Sequence, residues 1–272
     1  MNATPDDLRL SLFANWKQRS RTLGEFVDER IEFLRRLQGL HPLFREGLHL
    51  LGDSRKTSPA LEPEWSNLEA FVLKKTAATC RTSDARWFTG MTADGRATRE
   101  TTSQLGFHLS VSNLRPHDKD NILIELSGGS TNPDKGGGVG IDLPFAAVPE
   151  FSEPPFLRDL LRVVVDYWKP ERAGISNTAL REAVNVRPSY AVAVGWLNYL
   201  DDRNVVKDLP PGIHHEPFGV GVLFCIRPEP PLQDLDDAIQ KAIRVRDALL
   251  PGEWMTSRYW RGKTPQRPPV AA

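Results

Sequence analysis

The chain has 272 residues, with 35 Lys plus Arg against 35 Asp plus Glu, so its formal net charge is zero. Apolar residues make up 40% and charged residues 26%, the balance of a chain that folds rather than of a disordered one. At this length folding buries roughly three quarters of the extended-chain surface, and neutrality removes the overall basic field with which nucleic-acid binders displace counterions from phosphates.

The two cysteines, Cys80 and Cys225, lie far apart, and the second sits in the apolar run Val220–Ile226. That is the pattern of a buried free thiol. Secreted disulfide frameworks show short, even spacings, although spacing alone leaves a Cys80–Cys225 disulfide open. Met1–Asp7 holds two acids and no apolar segment, and no apolar run approaches the ~18 residues that would span a bilayer. The expected compartment is the cytosol, with no membrane partner.

In chain order, Leu8, Leu10 and Leu12 alternate with polar residues and predict a strand to Phe13. Thr22-Leu23-Gly24-Glu25 reads as a capping box opening a helix to about Gly39. Its stripe of Leu23, Val27, Ile31 and Leu34, widened by Phe26, Phe33 and Leu37, implies burial beneath other elements. Phe44–Leu51 is expected to form a short second helix and Trp65–Ala78 a third. The Trp87 region, with its Asp94-Gly95 turn, reads as strands. Period-two patterns at Phe107–Val111 and Ile122–Leu126 predict an antiparallel pair joined by the polar Asn113–Asn121 segment.

Residues 128–140 contain six glycines and are expected to be a connection. Beyond them Pro155–Trp168 predicts a helix, Tyr190–Leu200 fits a strand or a helix, Gly219–Ile226 a buried strand, and Leu232–Leu250 a closing helix. The Pro-rich end is expected to be disordered. Phe33–Leu37 before Pro42 echoes Phe156–Leu160 before Pro170, which leaves chance and duplication both open. The fold class expected is α+β, mostly antiparallel strands with several helices. The corresponding division is an N-terminal half (8–127), a Gly-rich linker or loop (128–144), a C-terminal half (145–260) and a tail (261–272). One continuous domain over 8–250 is the alternative.

No local chemistry emerges from the motifs. Zinc needs ligands clustered on firmly held elements, whereas His214 and His215 are adjacent and point to opposite faces of an extended segment. The Gly136–Gly140 run leads into Ile141-Asp142-Leu143-Pro144, which is not the helix start a phosphate cradle requires. No Ser occupies a nucleophile elbow. No catalytic residue, cofactor site or metal site is assigned. A spatially dispersed carboxylate/His site leaves no obligatory local trace, so a hydrolase-type enzyme is the alternative class. Two basic clusters, Lys17, Arg19, Arg21 and Arg258, Arg261, Lys263, Arg267, read as solvated surface or tail. Asp234, Asp236 and Asp237 suit a helix first turn. Asp201 and Asp202, close after Trp196 and Tyr199, form the candidate partner-binding patch, since aromatic residues beside acids suit a basic partner.

The order of several short segments carries a resemblance. They are Asn15-Trp16, Leu37–Phe44, the Trp87 region, Leu105-Gly106-Phe107, Tyr167–Pro170, Gly195–Leu200 and Gly219–Phe224. Together they resemble the Imm52 (immunity protein 52) family of bacterial immunity proteins over most of residues 8–250. The resemblance implies an α+β protein of the cytosol that binds and neutralises a cognate polymorphic toxin. Toxins accompanying this family typically bear a restriction-endonuclease-like nuclease domain and are often delivered by type VI secretion. It implies no catalytic residues, no cofactor and no direct contact with nucleic acid.

Overall fold

The computed structural model describes residues 8–83, 85–113, 121–144, 148–184 and 194–254. The chain is an α+β protein with nine strands in mostly antiparallel ladders, a two-stranded ribbon, and helices packed on them. It forms two compact units, Met1–Ala14 with Leu143–Ala272, and Asn15–Asp142. Strand β1 (Leu10–Trp16) spans the sequence boundary and buries every second side chain, Leu10, Leu12, Ala14 and Trp16, as its period of two requires.

In the unit Asn15–Asp142, helix α1 (Leu23–Gln38) begins at the expected capping box. The Thr22 hydroxyl accepts from the Glu25 amide at 3.3 Å, and the Glu25 carboxylate accepts from the Thr22 amide at 2.8 Å. Both bonds satisfy amides that a helix start leaves without partners. The expected apolar stripe is buried except for the half-buried Ile31, and Arg30 is buried beside it. Its guanidinium carbon lies 3.9 Å from the centre of the Phe26 ring, while Nη1 meets Glu29 at 2.8 Å and Nη2 the Ser127 carbonyl at 3.1 Å. These contacts compensate the desolvation of a buried cation.

Beyond α1 the expected second helix is absent. Pro42–Phe44 makes one tight turn, capped by His41 Nδ1, which accepts from the Leu43 amide at 3.2 Å. The chain then enters strand β2 (His49–Leu50), whose backbone finds partners in the next strand and in the Pro59–Leu61 segment. Helix α2 (Leu68–Thr82) starts later than Trp65, because Glu64 and Trp65 hold φ of 54° and 64°, outside helical space. The short ribbon β3 (Phe88–Thr89) with β4 (Thr102–Ser103) accounts for the Trp87 region.

Strands β5 (Phe107–Ser112), β6 (Leu123–Gly128) and β7 (Gly137–Asp142) form an antiparallel ladder with Leu109 opposite Leu126 and Ile124 opposite Ile141. The expected pair is β5 and β6, and the polar segment joining them falls largely outside the described residues. The glycine-rich stretch expected to be a connection carries β7. Gly137 serves packing: a Cβ there would stand 2.2 Å from Trp16 Nε1, so only a bare backbone passes this indole.

In the other unit, α3 (Pro154–Trp168) buries Leu157, Leu160, Leu161, Val164, Val165 and Trp168. It ends at Lys169, whose φ of 44° is left-handed, ahead of Pro170. Strand β8 (Arg172–Asn177) leads into α4 (Thr178–Val184). Strands β9 (Leu197–Leu200), β10 (His214–Phe218) and β11 (Gly221–Cys225) precede helix α5 (Leu235–Leu249). The ladder runs β10-β11-β9-β8-β1, with β8 antiparallel to β9, β9 to β11, and β11 to β10. The segment open to a strand or a helix resolves as strand over Leu197–Leu200, and residues 190–193 lie outside the described residues, as does the tail. Cys80 and Cys225 are free, half-buried thiols.

Candidate partner-binding surface

The sequence-predicted patch flanks strand β9: Trp196 precedes it, Tyr199 lies on it, and Asp201 and Asp202 follow it, while all four residues of the strand, Leu197–Leu200, are buried, so both its faces are covered. Trp196 and Tyr199 are each 1% exposed. Their rings belong to the core and present no face to a partner. Trp196 Nε1 donates to the Arg227 carbonyl at 2.9 Å, and the Tyr199 ring lies 6.1 Å from that of Phe218. Asp201 and Asp202, just past the strand end, are exposed.

The register Val222 opposite Leu200 brings Gly221 alongside Asp201. The acids therefore lie beside the turn joining β10 to β11, in which Phe218 pairs with Gly221 and only Gly219 and Val220 remain in the loop. Gly219 takes φ of 56°, which a two-residue turn with glycine at its first central position requires. Val220, at the second position, is 75% exposed. The Val220–Ile226 run was expected to be wholly buried. The pairing places Val220 outside the ladder, so it crowns the turn instead.

Arg203 fixes this arrangement. It follows Asp202, whose carboxylate accepts from the Asn204 amide at 2.9 Å and starts a tight helical turn over Arg203–Asp208. From there Arg203 Nη2 donates to the Gly219 carbonyl at 2.8 Å and Nε to the Gly221 carbonyl at 3.2 Å. The guanidinium thus spans the hairpin turn and holds its backbone against the acidic segment.

Burial first, then the charges of Asp201 and Asp166, push the Tyr199 hydroxyl up to about 12, with Arg203 opposing. Asp166 on α3 is exposed and acts on the same phenol, although it lies far from Asp201 in sequence. The fold therefore brings the charges of Asp166 and Asp201 to bear on one phenol, and places the exposed Asp201 and Asp202 beside the clamped turn that carries Val220. Sequence reading found two of the acids. It missed Val220 and Arg203, for which the one signal was glycine on both sides of Val220.

The candidate chemistry elsewhere is sparse. His214 and His215 occupy successive positions of β10 and alternate across it, and no three His, Cys, Asp or Glu among the described residues converge as metal ligands. No helix among the described residues is long and apolar enough to cross a membrane.

No protein-family model matches the chain, and no curated protein sequence matches it. Among solved structures it is similar to a type VI secretion system protein of Pseudomonas aeruginosa, with a TM-score of 0.49 and 12% identity, over 94% of this chain and 76% of that one.

Proposed function

We propose that the chain is an immunity protein that binds a cognate nuclease toxin stoichiometrically in the cytosol and acts by binding rather than by turnover. The observation that carries this reading is the clamped turn: an exposed valine with exposed carboxylates beside it, held on a backbone that Arg203 has already ordered. Turn tips favour Gly, Asn, Asp and Ser, so folding gives no reason for valine there. Apolar centres with charged rims are what protein interfaces bury. The segments resembling the Imm52 family support the same reading.

A nuclease cleft is basic where it holds phosphates, and carboxylates on a projecting turn complement such a cleft in charge. On this mechanism the turn enters the toxin's phosphate-binding cleft, Val220 supplies the desolvated contact, and Asp166, Asp201 and Asp202 accelerate encounter. Order is present before binding, so little conformational entropy is lost on association.

The direct test is co-expression with a nuclease toxin encoded by the adjacent reading frame, followed by co-purification and a cell-survival assay. Protection and a one-to-one complex are expected from the native chain. Asp201→Lys combined with Asp202→Lys should slow association and weaken protection. Full protection by that double variant would rule out this surface, and absence of both complex and protection with the native chain would end the immunity reading.

A further inference from the structure

At the opposite end of the β10–β11 hairpin from the Val220 turn lies a cleft of about 240 Å³. Its walls are the Pro210–Ile213 turn, the strand ends at His214 and Cys225, and the side chains of Arg227, Lys241 and Arg244. Two prolines and Gly212, with φ of 84°, shape the turn. The other wall is equally well held. The buried Trp196 donates from Nε1 to the Arg227 carbonyl at 2.9 Å, and Arg227 Nη1 donates to the Gln233 and Asp234 carbonyls at 3.2 and 3.3 Å.

The charges facing this cleft are unequally satisfied. Lys241 lies 2.9 Å from Asp237 Oδ2 one helical turn away. Arg227 has only Nη1 engaged by described residues. Arg244 makes no hydrogen bond or ion pair with any described residue, yet it lines the cavity. Arg227, Lys241 and Arg244 line this concave space with no carboxylate among its described lining residues, while Asp234, Asp236 and Asp237 lie against Arg227 on the neighbouring side, so the positive charge is local to the cleft. The planar forks of arginine match the oxygens of a phosphate, and lysine adds a point charge.

We propose that this cleft binds the phosphate group of a small phosphorylated molecule, with Arg244 and the outward donors of Arg227 as its ligands. Its volume is below the roughly 300–1,000 Å³ of sites that take drug-sized ligands. It therefore suits a phosphate with a short appendage. The site stands apart from the partner-binding surface and does not depend on the immunity reading.

The test is calorimetric titration of the full chain with inorganic phosphate at low and constant ionic strength, alongside titration with double-stranded DNA. One saturable phosphate site is expected, weakened about tenfold or more in Arg244→Ala and only partly restored in Arg244→Lys, which keeps the charge and loses the fork. Unchanged far-ultraviolet dichroism would confirm that the variants are folded. Lack of saturation at millimolar phosphate, or equal affinity in Arg244→Ala, would overturn the proposal. DNA binding that depends on Arg244, with a steep salt slope and no saturable phosphate site, would overturn it in favour of nucleic-acid contact.

Discussion

Arg203 Nη2 reaches the carbonyl of Gly219, sixteen residues further along the chain, at 2.8 Å. A turn that would otherwise rely on its two-residue geometry is thereby tied to a separate segment. Arg203→Ala should cost about 1 kcal/mol of stability, because the bonds lost are partly solvent-exposed. Its larger effect should fall on recognition. Hydrogen exchange at the Val220 amide should accelerate, and the toxin complex should form more slowly and dissociate faster. Unaltered exchange at Val220 would mean that the clamp does not order the turn.

Val220 separates binding from folding. Its side chain is 75% exposed, so Val220→Ser should leave the denaturation midpoint within about 0.5 kcal/mol of the native chain. Val220→Glu should do the same to stability. Both should weaken the toxin complex by about tenfold or more if the valine fills an apolar pocket. Surface plasmon resonance with the purified toxin reads this directly, and native-like affinity in both variants would remove Val220 from the interface.

Gly137→Ala tests the packing of β7. The added methyl would meet the Trp16 indole at 2.2 Å, and the neighbouring backbone must shift to admit it. A loss of about 1–3 kcal/mol is expected by urea denaturation. The adjacent Gly138, whose residue pairs with Ser127 and is only half-buried, should tolerate alanine better.

Tyr199 makes the protein sensitive to alkali. Its folded-state value of about 12 exceeds the ordinary tyrosine value near 10. Between these values the unfolded chain releases a proton that the folded chain retains, so the stabilisation is complete below about pH 10 and is lost as pH rises towards 12. Tyr199→Phe should flatten this alkaline loss of stability. Spectrophotometric titration of the folded protein should find one fewer late-ionising phenol in the variant.

The features legible in sequence are those fixed by short-range physics. The capping box at Thr22 and Glu25 locates α1 because both partners lie within one turn. The period of two in β5 and β6 locates the ladder because their alternate apolar residues, Leu109, Val111, Ile124 and Leu126, pair across it and are fully buried. The helices α3 and α5 follow from apolar spacing in the same way. Where a distant residue decides the outcome, local pattern misleads. Gly137 of β7 answers to Trp16, far back in the chain. The Phe44–Leu51 stretch becomes a turn and a strand because β5 and the Pro59–Leu61 backbone supply its partners.

The candidate site divides along the same line. Asp201 and Asp202 are recognisable as an acidic pair close after Trp196 and Tyr199, and both are exposed. Trp196 and Tyr199, expected in the patch, belong to the core instead, because β9 is buried on both faces and lacks the alternation that tells one face from the other. Asp166 and Val220 join the acids only through the placement of α3 and the β11–β9 register.

The turn at Gly219-Val220 also bears on how such a protein could diversify. Gly219 absorbs the unusual backbone angle, and Arg203 grips only main-chain oxygens. Position 220 therefore carries no structural duty of its own. On the proposed immunity function, a single codon change there would alter what the protein recognises while leaving its ladder, its clamp and its stability intact, so specificity could drift between rival toxins without passing through an unfolded ancestor.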